Sequence, residues 1–338
     1  MFGFGTRKPA VTEEVQTPPP VMVAGCVGKT PELADFISAR ASYREVQEIE
    51  SLLRQWYLEH QQALDHAPLQ AFGFLMTGGH DRQGLAGHFF PSQDSHGRLY
   101  PLIYFTRWSL ATLYFRPSTL FHASETVLEQ IDVGLNHQGI PQLSALKQLL
   151  SLSDDQCREL LPTNPVRDAM TRLSDWTLER WLITMVGADP LDWQQFIDQS
   201  VCQLQQFKQG RVDPHSRVLT LPLGPEDCCV TSLCFWLMIL EGQQEGNQWR
   251  PDVLWQRDES DSKAHILPKP LTVSQLDRLL YSTLRTEDQS TDIDLPDDRI
   301  LTDNQAGSQS SSVRFSHKIL KDPSRSLLDI AIAWSRQA

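Results

Sequence analysis

The stretch AGCVGKTPELADF, residues 24–36, sets Gly28, Lys29 and Thr30 side by side, the closing residue types of a phosphate-binding loop. In that loop, G-x-x-x-x-G-K-[ST], the first glycine lets the backbone wrap the phosphates while amides and the lysine donate to them. Here Val23 stands where the first glycine belongs, and Gly25 comes too late to frame a loop of that size. Pro31 follows Thr30 directly and has no N–H to give. No apolar strand ending in aspartate is at hand for magnesium. The segment reads as a turn between a short strand and a helix.

Three other sets of residues carry chemistry by type. Asp94, Gly97 and Arg98 fit a turn in which the carboxylate accepts backbone N–H bonds and the guanidinium pairs with Asp94 or Asp35. The same residues fit a polar patch for a partner. Nothing near them supplies a nucleophile with an oriented base. His80, His88 and His96 recur every eight residues, a spacing that forces them onto neither one helix face nor one strand face. They read as isolated surface or turn histidines. Cys26, Cys157, Cys202, Cys228, Cys229 and Cys234 include no C-x-x-C and no zinc-finger spacing. The last three sit in an apolar run and read as small core residues; a reducing compartment fits this usage. No cofactor or metal is expected.

The elements that position these residues belong to a chain of 338 residues, 40% hydrophobic and 21% charged, which is long enough to bury a large core. Its formal charge of −12 offers no broad basic face for nucleic acid or anionic lipid. The N-terminal residues lack the apolar segment of a signal peptide. The longest apolar run, 228–240, is too short to span a bilayer. A cytoplasmic protein without membrane insertion is expected.

Residues 1–20, with three prolines at 18–20, read as a flexible arm. A strand is expected at 21–27. A helix follows from about 43 to 61, with Ser42 and Glu45 as its capping box and Val46, Ile49, Leu52, Leu53 and Trp56 on one face. Strands at 69–78, 84–92 and 98–106 with short connections favour an antiparallel meander. Residues 108–210 are helical in pattern. A second capping box begins at Ser153, and Trp176, Trp181, Trp193 and Phe196 lie at helical intervals in 166–186 and 190–208; these aromatics read as core. A strand at 217–223, a buried helix at 226–242, a hairpin of 252–258 with 263–268, and an amphipathic helix at 272–284 complete the unit. Residues 285–312, with seven acids against two arginines, read as a disordered acidic linker. In the tail, 313–338, Leu327, Ile330, Ala331 and Trp334 form one helical stripe, fit to pack on its own domain or enter a partner's groove. The expected fold is α+β: a mixed, mainly antiparallel sheet flanked by helices, with a helix-rich middle and one principal domain at 21–284.

Two blocks in this layout carry a resemblance. GKTPELADF (28–36) and PSQDSHGRLYPL (91–102) resemble the TagF (ImpM) family of type VI secretion-associated proteins. Its blocks usually read G-K-L-P-x-x-G-D-F and P-S-x-D-x-x-G-R-x-x-P-L. Gly28, Lys29, Pro31, Asp35 and Phe36 match the first; Pro91, Ser92, Asp94, Gly97, Arg98, Pro101 and Leu102 match the second. A third block, 253–280, is similar to the family's tryptophan strand, variable turn and closing helix, so the resemblance covers about 21–284. Ala34 replaces the usual glycine and Leu33 a polar or basic residue; if that glycine has positive φ, alanine here is costly.

The resemblance implies a regulator, not a catalyst: a cytoplasmic, post-translational repressor of secretion-system assembly that binds a forkhead-associated (FHA) domain scaffold. The candidate binding residues are Lys29, Pro31, Asp35, Asp94, Gly97 and Arg98. Some relatives are fused to a PP2C-type phosphatase, whose metal-binding aspartate motifs are missing from this sequence. Thr291, followed three positions later by Asp294, fits a phosphothreonine motif for such a scaffold. Two other readings stand beside this one. One is an enzyme acting on a phosphorylated or nucleotide ligand through the Gly28-Lys29-Thr30 turn or the Asp94/Arg98 cluster. The other is a positive assembly component of the apparatus.

Overall fold

The computed structural model describes residues 22–60, 71–78, 83–109, 116–131, 141–208, 218–243, 249–256, 262–267, 269–284 and 314–336. The segments 1–21 and 285–313, including the Thr291 motif, lie outside the described residues, as does His80.

Eight strands form one sheet in which every pairing is antiparallel. They are β1 (Met22–Gly28), β2 (Ile37–Ala39), β3 (Phe72–Met76), β4 (Gln83–Phe90), β5 (Leu102–Ser109), β6 (Leu219–Gly224), β7 (Asp252–Gln256) and β8 (Ser262–Leu267), in the order β2-β1-β5-β4-β3-β7-β8-β6. The fold is α+β. The meander β3-β4-β5 and the hairpin β7-β8 stand as their short connections imply.

Both faces of this sheet are covered. On one, Phe72, Phe74, Leu85, Phe89, Ile103, Phe105 and Leu254 pack against α1 (Arg44–Glu59) and other buried residues up to Leu280. On the other, Leu75, Ala86, Phe90, Leu102, Trp108, Val253 and Trp255 meet the larger helical layer. Alternate side chains point to opposite faces of a strand, so two buried faces turn the strands into unbroken apolar runs. That is why β1 is buried at all seven positions.

The larger layer comprises, in chain order, α2 (Pro117–Gln130), α3 (Leu143–Ser151), α4 (Asp154–Glu159), α5 (Pro165–Ser174), α6 (Leu178–Val186), α7 (Pro190–Lys208) and, after β6, α8 (Glu226–Gln243). On the first face α9 (Val273–Leu284) lies against α1. Residues 314–320 are also helical (α10), and α11 spans Leu327–Ser335. Between Cys228 and Leu240 helix α8 is largely apolar and buried on all sides, the pattern of a helix enclosed by protein; Cys228, Cys229 and Cys234 are among its buried residues. Helix α11 packs on α8 with Leu327, Ile330, Ala331 and Trp334 buried. Backbone bonds from Leu178 N to Arg325 O (2.9 Å) and from Leu327 N to Trp176 O (2.8 Å) pin the segment to the loop before α6. Residues 314–336, outside the 21–284 unit of the sequence reading, thus share its core. Among the described residues no helix is long and apolar enough to cross a membrane.

Several local expectations need correction. The Ser42/Glu45 box does not form. Helix α1 starts one residue later, with Tyr43 at its N-cap and no side-chain cap, so Glu45 is not the third helical residue that a box requires. Glu45 instead pairs with Arg107 at 3.3 Å, whose guanidinium lies over the Tyr43 ring. The Ser153 box does form, with both reciprocal bonds. The pattern at 166–186 divides into α5 and α6, capped by Asn164 and Thr177. His88 is not a surface histidine: it is buried, and its Nε2 lies 3.0 Å from Glu125 Oε1 of α2.

Helix α2 has Arg116 at its N-cap, which contributes no side-chain cap. Glu241 of α8 takes that part, accepting bonds from Ser118 N and, at 2.9 Å, from Ser118 Oγ. Burial pushes the Glu241 carboxyl up to about 7, against the lowering effect of the Ser118 bonds and of Arg116 and Arg250. An acid whose pKa is raised on folding holds more protons in the native than in the unfolded state between the two values. Stability therefore falls as pH rises from 4.5 to about 7. Glu241→Gln is expected to flatten that slope in denaturant titrations across this range; a slope as steep as that of the parent chain counts against this role for the group.

Candidate interaction site

The two motif blocks meet in space. The first is not a turn between strand and helix: it joins β1 to β2, with Gly28 opposite Ile37 in the ladder. Gly28 has φ +138°, and its α-carbon lies so close to the second block that a Cβ would stand 2.2 Å from Pro101 O. This close approach carries Lys29 inward, to 6% exposure.

Asp94 is the hub. It is 1% exposed. Its Oδ2 accepts from Lys29 Nζ at 2.8 Å and from Arg98 Nε at 2.6 Å, and its Oδ1 from the backbone N–H of His96 (3.0 Å) and Arg98 (2.9 Å). Burial works against the charge. The bonds from Lys29, Arg98 and the two amides outweigh it and hold the carboxyl well below the usual carboxylate range. Gly97 N donates to Asp94 O at 2.9 Å, with Gly97 at φ +77°. Arg98 thus pairs with Asp94, not Asp35, and its Nη2 donates to Ala34 O at 3.0 Å.

Further bonds interlock the blocks: Ser92 Oγ to Lys29 O at 2.8 Å and Ser95 N to Leu33 O at 2.9 Å. Glu32, beside Pro31, accepts from Leu143 N at 3.2 Å and so caps α3. Arg40 has the sole positive φ outside glycine among the described residues, so Ala34 imposes no left-handed strain.

The outward side of this scaffold is small and mixed. Phe36 is 53% exposed, although its ring packs edge-on against Tyr100 at 4.7 Å and Lys29 Nζ lies 5.0 Å from its centre. The Tyr100 hydroxyl donates to Glu50 of α1. Asp35 is exposed, and the Arg98 side chain is 63% exposed. Of the six candidate residues, Lys29, Asp94, Gly97 and Arg98 form one bonded cluster, while Pro31 and Asp35 stand on the same loop. Sequence reasoning did not single out Phe36 as a site residue; an aromatic directly after a turn aspartate was the available signal. Among the described residues no three His, Cys, Asp or Glu side chains cluster as metal ligands.

An antiparallel sheet closed on both faces, with paired loops presenting an aromatic and two charges at one end, defines an α+β protein whose polar motif is built into its loops. Residues 25–148 match the TagF N-terminal domain, type VI secretion system-associated, and that span holds all six candidate residues. The match is confined to these residues, in which the chain is similar to a type VI secretion system-associated domain. Among solved structures it is similar to PA0076 from Pseudomonas aeruginosa PAO1, at 19% identity and a TM-score of 0.29, over 38% of this chain and 61% of that one. No curated protein matches the chain.

Proposed function

We propose that this protein is a non-enzymatic, cytoplasmic regulator that represses type VI secretion after translation, by binding an FHA-domain scaffold of the apparatus through the face around Phe36, Asp35 and Arg98. One observation carries the proposal: Asp94 gathers the Lys29 and Arg98 charges and two amides into a rigid scaffold, and that scaffold leaves a half-exposed aromatic and two exposed charged side chains outside. Aromatics and arginines dominate the energetics of protein interfaces. A phosphate loop works differently, for its lysine must be free to reach the ligand; Lys29 is buried against a carboxylate. Repression then follows from occupancy of the scaffold, without turnover.

Phe36→Ala and Arg98→Ala are expected to weaken binding to the purified FHA-domain scaffold about tenfold or more each, and to raise secretion when they replace the parent chain in cells. Phe36→Ala should leave the unfolding midpoint nearly unchanged. Wild-type affinity and wild-type secretion in both variants would refute the proposal.

A further inference from the structure

Helix α2 carries a second buried histidine besides the partner of its Glu125. His122 is 6% exposed, and its Nδ1 is closed off from solvent with no hydrogen-bond partner among the described residues. The charges around it are unequal. Across the contact of α2 with α5 stand Arg172 and Asp168 of α5. Glu125, three positions further along α2, is engaged by His88 of β4 at 3.0 Å. Tyr104 of β5 stacks on the His88 ring. From α8, Glu241 is spent on Ser118 in the first turn of α2, and burial pushes the Cys234 thiol up so that it keeps its proton.

Burial, then the Arg172 charge, pushes the His122 imidazole down to about 4, against the raising effect of Asp168 and Glu125. The packed ring is therefore neutral. An imidazolium carries an N–H on both nitrogens. A further proton would thus make Nδ1 a buried donor with no acceptor, beside a guanidinium of like charge.

We propose that α2 and α5 form an acid-released latch: proton uptake by His122 parts α5 from α2 while the central strands stay paired, and the parting bares Ala169 and Leu173, the buried apolar residues of α5. The latch does not depend on the Phe36 face. Once opened, the ring meets water and titrates near its ordinary value of 6.5, so between 6.5 and about 4 the opened state binds the proton and the closed state does not. Opening becomes easier as pH falls through this window, the reverse of the Glu241 effect.

The test is native-state amide hydrogen exchange of the full chain, read by mass spectrometry and corrected for the intrinsic rate. From about pH 7.5 to about pH 4.5, protection in 121–130 and 169–174 is expected to fall roughly fiftyfold more than in β3, β4 and β5. The reference strands exclude β8, where burial pushes His265 down to about 4 as well. His122→Gln should remove most of the excess. Arg172→Met, which leaves the histidine in place and takes away the neighbouring cation, should shrink it several-fold. Equal loss of protection in helices and strands, or an excess that persists unchanged in both variants, overturns the proposal. If His122→Gln does not fold, the parent profile and Arg172→Met decide the matter by the same two criteria.

Discussion

Trp334→Ala is expected to lower the unfolding free energy by about 3–5 kcal/mol in urea titrations, the range for truncating a large aromatic in a core. Trp334 is 3% exposed, and its ring lies 5.6–6.3 Å from those of Phe315, Trp236 and Phe235. Its removal leaves a void where α11 packs on α8. Trp334→Phe should recover much of the loss by keeping an aromatic in place. A cost below about 1 kcal/mol for the alanine variant would mean that α11 does not seat there. Deleting 313–338 is correspondingly a poor test of partner binding. It strips Phe315, Ile319 and Leu327 from the core as well, so lost scaffold binding would report unfolding.

Gly28→Ala should destabilise by on the order of 3 kcal/mol, combining backbone strain with overpacking. The residue has φ +138°, and the added carbon would stand 2.2 Å from Pro101 O and 2.7 Å from Leu102 Cα. Both are backbone atoms, so no side-chain rotation relieves the clash; the two motif blocks must part. Lys29 then moves off Asp94, and partner binding falls together with stability. Gly97→Ala is the control. Its φ of +77° is also left-handed, but open space surrounds the site, so the loss should be nearer 1 kcal/mol. Equal losses at the two glycines, measured by urea titration, would show that the close approach at Gly28 has no weight.

Much of this architecture was legible in the sequence, for reasons that can be named. Strands buried on both faces announce themselves as apolar runs. The Ser153 box was readable because its partners are three residues apart; the Ser42 box misled because a shift of one residue removes the geometry. The stripe from Leu327 to Trp334 was legible, but its destination was not, since a periodic face specifies burial and not the surface that buries it. The pairing of β3 with β7 and the bond between Lys29 and Asp94 were hidden for the same reason: each joins residues far apart in the chain. His88 read as a surface residue because its hydrogen-bond partner, Glu125, lies on a helix 37 positions away. The cluster was half visible, its residues present as motifs, while the convergence of Lys29 and Arg98 on one carboxylate required the folded loops.

The position of α11 also sets a timetable for biosynthesis. Between the emergence of α8 and that of α11 roughly 80–90 residues must be added, which at translation speeds of about 5–20 residues per second takes roughly 5–15 s. Through that interval Phe235 and Trp236 lack the Trp334 ring that packs against them in the folded chain.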